Sequence, residues 1–238
     1  MAPRFDQRLD AKEIMDDLTF SGKEMDQALR ELEVINKWLG GNQLTLHGID
    51  QLTKSKTNGQ GLRIVDLGCG GGDMLKLIAN KARRQNQKWD LVGVDANPYI
   101  IEYAQDNTKD YPEINYQIVN IFSESFKEQR WDIVLCTLFT HHFTDQELVR
   151  LLHQIKGQVR LGMVINDLHR HRLAYYSIKL LTKIFSRSYM VKNDGPISVL
   201  RGFSRYNWEK ILQQAQIKDF SLHWRWAFRW ELVIYNKS

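Results

Sequence analysis

Ile64-Val65-Asp66-Leu67-Gly68-Cys69-Gly70-Gly71-Gly72-Asp73 runs from a short apolar strand pattern through a glycine cluster into the start of a helical pattern. Glycines at such a strand-to-helix turn let backbone N–H groups approach a ligand at the carboxyl edge of a sheet. Two carboxylates bracket the turn, at Asp66 and Asp73. A third, Asp95, ends the next strand pattern 23 residues past Gly72. The dinucleotide fingerprint wants a glycine where this chain has Asp73, and a diphosphate beside these acids would be repelled.

Alternation of strand and helix patterns continues from Leu62, which signals a parallel sheet with crossover helices. Strands are predicted at 62–67, 91–95, 115–119, 131–138 and 161–166. Helices are predicted at 73–85, 98–105 and 144–156. Asn97 caps the second of these helices with Pro98 at its first position, and Thr144 with Glu147 forms a capping box on the third. The chain ends in a helix after Ser204 and two strands, near 218–224 and 229–235. The first sixty residues read as helical: Ser21 to Glu24 resembles a capping box, and Met25, Leu29, Leu32, Ile35 and Leu39 recur at helical spacing up to Gly40-Gly41. A weaker helix covers 43–52, and the polar stretch 54–61 reads as a linker. The expectation is an N-terminal helical cap (1–60) and an α/β domain (61–238) with a doubly wound, mostly parallel seven-stranded sheet whose last strand is antiparallel. A helical insertion, about 167–203, follows the fifth strand.

Composition narrows the setting. Two cysteines, Cys69 and Cys136, exclude a disulfide framework and point to a reducing cytoplasm. The first ten residues lack the apolar core of a secretory signal, and no apolar run approaches the ~20 residues of a membrane span. A formal net charge of +5 permits a nucleic-acid partner without demanding one.

The ligand that tolerates the acids around the glycine loop is S-adenosylmethionine, which carries a sulfonium and an ammonium and no phosphate. Asp95 is placed to accept the ribose hydroxyls, followed by Ala96 and Asn97, with Tyr99 and Ile100 as an apolar wall. Asn120 and Ile121, ending the third strand, are placed at the adenine edge. Asp66-Leu67-Gly68-Cys69-Gly70-Gly71-Gly72 resembles the first motif of class I (Rossmann-like) S-adenosylmethionine-dependent methyltransferases, and Val94-Asp95 their second acidic motif. The resemblance implies that Asp66, Gly68, Cys69 and Gly70 lie at the methionine moiety, with Thr137 nearby. More loosely, Glu13 to Asp17, Asn166 to Leu168 and Asn193 to Arg201 are similar to methyltransferases found beside type III polyketide synthases, and quinone-biosynthesis methyltransferases are further relatives.

The fourth strand delivers Thr137 to Phe143, including His141 and His142, to the edge where a methyl group should point. Histidine suits a base acting near neutrality, so His142, then His141, are candidate bases. Asp167, after the fifth strand, is a third candidate, expected to orient a substrate hydroxyl or anchor the insertion. Two histidines and an aspartate suggest a divalent metal, yet the Asn166-Asp167 order reverses that of metal-dependent catechol methyltransferases, and no metal is expected.

The insertion mixes aromatic residues with Arg170, Arg172, Lys179, Lys183, Arg187 and Arg201. It reads as a lid over an aromatic or polyketide-like acceptor, with Tyr175, Ser198 and Arg201 as substrate contacts. An amphipathic helix (Leu173, Tyr176, Leu180, Leu181, Ile184, Phe185) would pack its apolar stripe on the sheet, before a turn at Asn193 to Pro196. Trp224, Trp226, Phe228 and Trp230 alternate, which predicts core packing on one strand face with Arg225 and Arg229 turned away. His169 and His171 are expected at the surface. O-methylation of a small molecule is the leading expectation. RNA methylation through the basic insertion and C-methylation of quinone-type rings are the alternatives, with monomer and homodimer both compatible.

Overall fold

The computed structural model describes residues 3–54 and 61–236; most of the expected 54–61 linker lies outside them. Helices α1 (Lys23–Trp38) and α2 (Gly41–Thr53) precede β1 (Arg63–Leu67), α3 (Asp73–Arg84), β2 (Asp90–Asp95), α4 (Pro98–Asn107) and β3 (Ile114–Ile118). There follow α5 (Glu124–Lys127), β4 (Trp131–Thr137), α6 (Asp145–Lys156) and β5 (Val159–Leu168). The insertion forms α7 (Arg172–Phe185) and α8 (Tyr189–Arg201), and α9 (Arg205–Gln214), β6 (Phe220–Arg225) and β7 (Arg229–Tyr235) close the chain.

The seven strands run in the order β3-β2-β1-β4-β5-β7-β6. All neighbours are parallel except β7, which is antiparallel to both β5 and β6. Central strands covered on both faces can be apolar along their whole length, which is why Val65, Leu67, Val92, Val94, Val134, Cys136 and Ile165 are all buried. Because the chain winds outward from β1 in both directions, a crevice opens between the carboxyl ends of β1 and β4, the switch point where such sheets bind ligands.

The expected caps hold at two helices: Asn97 accepts from Tyr99 N with Pro98 at N1, and Thr144 with Glu147 closes a capping box. The Ser21 box does not form. Gly22 is the N-cap of α1, and Glu24 instead accepts from Ser188 Oγ (2.6 Å) and Met190 N (3.2 Å) at the start of α8. A distant helix start thus outcompetes the local partner. Glu31 likewise accepts from the backbone N–H groups of Arg187 and Ser188. With the apolar cluster of Met25, Ala28, Leu29, Ile100, Met190 and Val191, these clips fix α1 against the insertion.

Three further expectations are corrected. Asn193 to Pro196 is not a turn but the middle of α8. The proline forfeits one helical bond, while the Asp194 carboxylate accepts from Ile14 N (2.9 Å) and Met15 N (3.1 Å), a tertiary tie invisible to local turn chemistry. The stripe of α7 does not pack on the sheet: Leu173, Tyr176, Leu180, Ile184 and Phe185 are exposed, and Ala174 and Thr182 form the buried side. At the C-terminus Trp230 is buried as expected, but Trp224 and Trp226 are exposed and Arg229 lies inside. No helix among the described residues is long and apolar enough to cross a membrane.

Candidate active site

The glycine loop is built by strain that only glycine absorbs. Gly68 sits at φ +66°, and a Cβ there would lie 2.1 Å from Phe139 Cδ2, so the turn after β1 and the segment after β4 touch. Gly70, at φ +50°, faces open space, with only Leu29 Cδ2 at 3.9 Å from where a Cβ would be. Below the loop Asp66 is buried, and its Oδ1 has no hydrogen-bond partner. Burial, reinforced by the nearby Asp95, pushes its carboxyl well up. Burial also raises Asp95, against the backbone N–H groups of Asn97, Ala96 and Gly70. Neither aspartate has a cationic side-chain partner among the described residues.

A cavity of about 430 Å³ runs from this loop across the carboxyl edge of the sheet. Asp66, Gly68, Cys69, Gly70 and Thr137 line it, as do His141, His142 and Ser198. Asp95, Ala96, Asn97, Asn120 and Ile121 do not. Asn97 is consumed structurally: its Oδ1 caps α4 and its Nδ2 donates to Phe20 O (3.0 Å). Ile121 is packed into the core, and exposed Asn120 accepts from Phe122 N. Neither residue expected at the adenine edge lines this cavity.

Both histidines are held by carboxylates. His141 Nδ1 meets Asp167 Oδ1 at 2.7 Å, and the same carboxylate accepts from Thr140 Oγ1, His141 N and Leu168 N. Burial opposes ionisation of Asp167, but His141 and these donors hold it well below the usual carboxylate range. Fully buried, with both oxygens engaged by its own chain, Asp167 does not line the cavity and holds the His141 ring and backbone. His142 Nδ1 meets Asp16 Oδ1 at 2.5 Å. Asp16 is also held low, burial being outweighed by His142, Arg201 and the backbone of Glu13.

Arg201, expected at the substrate, does not line the cavity and is engaged within the chain. Its guanidinium donates to His141 O (3.1 Å), His142 O (2.6 Å) and Asp16 Oδ2. Arg8 adds bonds to His141 O and Phe143 O. Tyr175 lies away from the cavity, packed edge-on against Phe5 and Tyr176. His169 is half-buried, accepts from Trp224 Nε1 and is lowered to about 4 by burial, so it is no free surface histidine.

The residue left without a role in the sequence reading is Glu13, which stands only within a stretch that resembles the polyketide-associated methyltransferases. It is buried, lines the cavity and accepts from Ser198 Oγ through Oε2 (2.8 Å), while Oε1 has no hydrogen-bond partner. Oε1 lies 3.7 Å from His141 Nε2. Burial raises Glu13 to about 7 despite His142, Ser198 and Arg201. That resemblance, carried by the short acidic run from Glu13 to Asp17, was the signal in the sequence. Ligating atoms of Glu13, His141 and His142 lie within 4.8 Å of one another and are suited to one divalent ion. Asp167, which the sequence reading combined with the histidines, is turned inward instead.

Residues 64–162 match the family model described as a methyltransferase domain. Among solved structures, the chain is similar to the plantazolicin methyltransferase BpumL in complex with a triazolic desmethylPZN analog and SAH (TM-score 0.65, 16% identity, covering 90% of this chain and 90% of that one). It is similar also to human N-acetylserotonin methyltransferase in complex with SAM (TM-score 0.63, 16% identity, 91% and 57%). A third is the CMeT domain of the citrinin polyketide synthase (TM-score 0.60, 17% identity, 80% and 50%). The chain spans about half the length of the latter two. No curated protein sequence matches it. The fold is that of class I S-adenosylmethionine-dependent methyltransferases.

Proposed function

We propose that the chain is an S-adenosylmethionine-dependent methyltransferase acting on oxygen of a small aromatic or polyketide-like acceptor. The observation that carries this reading is that one cavity joins the buried carboxyl of Asp66, with its unpartnered Oδ1, and the open face of Gly70 to the imidazoles of His141 and His142. A buried carboxylate without a partner is costly unless a cation reaches it. The cofactor's sulfonium and ammonium fit that charge, whereas a diphosphate does not. When bound, the cofactor supplies an electrophilic methyl group, and the protein's task is chiefly alignment.

His142 is the base in this reading. Asp16 holds Nδ1, which leaves Nε2 to receive the proton of an acceptor hydroxyl as its oxygen takes the methyl group. Asp167 and Arg201 fix the His141–His142 backbone, and α1, α2 and α8 form the cap and lid of the pocket. Apolar walls from Leu32, Ile35, Leu39, Ile178 and Leu181 suit an aromatic or acyl acceptor. The RNA alternative is weakened because Arg170 and Arg201, two of its expected phosphate contacts, are buried and engaged internally.

The test is to incubate the protein with methyl-labelled S-adenosylmethionine and a metabolite-and-RNA extract of the source cell. Label in the organic phase supports the reading. Label in nuclease-sensitive, acid-precipitable material contradicts it.

A further inference from the structure

Arg229 opens β7 and is 2% exposed, yet its guanidinium makes one hydrogen bond, from Nη2 to Asn36 Oδ1 (3.0 Å). Nε and Nη1 have no partner. The other buried arginines are treated differently. Arg201 engages Asp16 and two carbonyls, and Arg170 donates to Phe5 O, Gly202 O and Asn207 Oδ1. Glu231, two residues along β7, is already taken by His47 and Arg225.

The space around Arg229 is shaped for it. A Cβ on Gly41 would stand 2.7 Å from Arg229 Cζ, so the start of α2 gives way to the guanidinium. Arg229 and Asn36 both line the cavity that holds His141 and His142. Burial, only partly offset by the charge of Asp167, lowers the guanidinium to about 10, a cost that an incoming anion would reduce.

We propose that Arg229 is the docking point for a carboxylate carried by the acceptor, held while the oxygen to be methylated faces the histidine pair. This rests on the methyltransferase reading for the identity of the acceptor, though not for the existence of the anion site. In the sheet Arg229 lies three strand spacings, roughly 14 Å, from β1. It therefore serves the acceptor end of the cavity rather than the glycine loop. Arginine is suited to the task because its planar donors match a carboxylate.

The experiment uses calorimetry with 4-hexylbenzoate and the neutral 4-hexylbenzamide as probes, on the full chain with S-adenosylhomocysteine present. Wild type should bind the benzoate at least tenfold more tightly than the amide, as expected for charge-assisted bonds. Arg229→Gln should abolish that preference and keep S-adenosylhomocysteine affinity within twofold; Arg229→Lys should restore part of it. Equal affinity of wild type for the two probes overturns the proposal, with no variant needed. So does an Arg229→Gln protein that loses the nucleoside but keeps the benzoate preference, because the arginine would then serve the cofactor. A wild type that prefers benzoate yet ignores S-adenosylhomocysteine supports the anion site and contradicts the methyltransferase reading.

Discussion

Two pairs of aspartates flank the cavity, and the fold treats them in opposite ways. Asp66 and Asp95 are raised by burial and form no ion pair among the described residues. Asp16 and Asp167 are as deeply committed, yet histidine and arginine hold them ionised. The first pair is an incomplete charge set, which the proposed cofactor's cationic groups would complete. The second is already complete, and its role is to fix imidazoles before any ligand arrives. Binding and positioning are thus separated along the sheet, with β1 and β2 on one side and β4 and β5 on the other.

The sharpest way to test that division is His142→Ala. Turnover, read as label transferred from S-adenosylmethionine to extract metabolites, should fall ~10²–10⁴-fold if the imidazole is the base. A loss of only threefold would reduce His142 to a brace, and the second pair would be scaffold alone.

Glu13 comes next, because it sits among charges of the completed set but is itself raised to about 7. Its folded value exceeds the unfolded one of about 4.5, so the folded state holds the extra proton between these pH values. Stability from this group is fully present below pH ~4.5 and is lost as pH rises through ~7. Glu13→Gln, which mimics the protonated form, should lessen that loss by about 3 kcal/mol, read from urea unfolding at pH 5 and pH 8. An unchanged pH dependence would mean that Glu13 ionises freely.

Asp95→Ala addresses the incomplete set. S-adenosylhomocysteine affinity should weaken by about 1–3 kcal/mol through lost charge-assisted hydrogen bonds, with the urea midpoint kept. An unchanged affinity would misplace the ribose. The smallest effect is expected outside both sets: Leu180→Glu, on the exposed stripe of α7, should change stability by about 0.5 kcal/mol or less. A loss of several kcal/mol would show that the stripe is covered in solution.

The same division governs what the sequence discloses. The glycine loop, Asp95 and the Asn97 and Thr144 caps depend on neighbours a few residues away, so the alternation of strands and helices and the glycine-loop edge follow from local pattern. The histidine clamp joins residues 8, 13, 16, 141, 142, 167 and 201, whose proximity exists only after folding. The inward bonds of Arg201 and the place of Glu13 beside His141 are therefore not legible in the sequence. The α7 stripe misleads for another reason: helical periodicity reports that an apolar face exists, not what covers it. Arg229 misleads because strand alternation assigns faces without saying that both faces are covered; α2 lies over the side it points to.

The central claim is that ligand binding and imidazole positioning are separable functions of one cavity. Its most direct test is calorimetric titration of S-adenosylhomocysteine into wild type and into His142→Ala. The account predicts saturable binding with affinities equal within twofold. No binding to wild type, or loss of binding in His142→Ala, would contradict it.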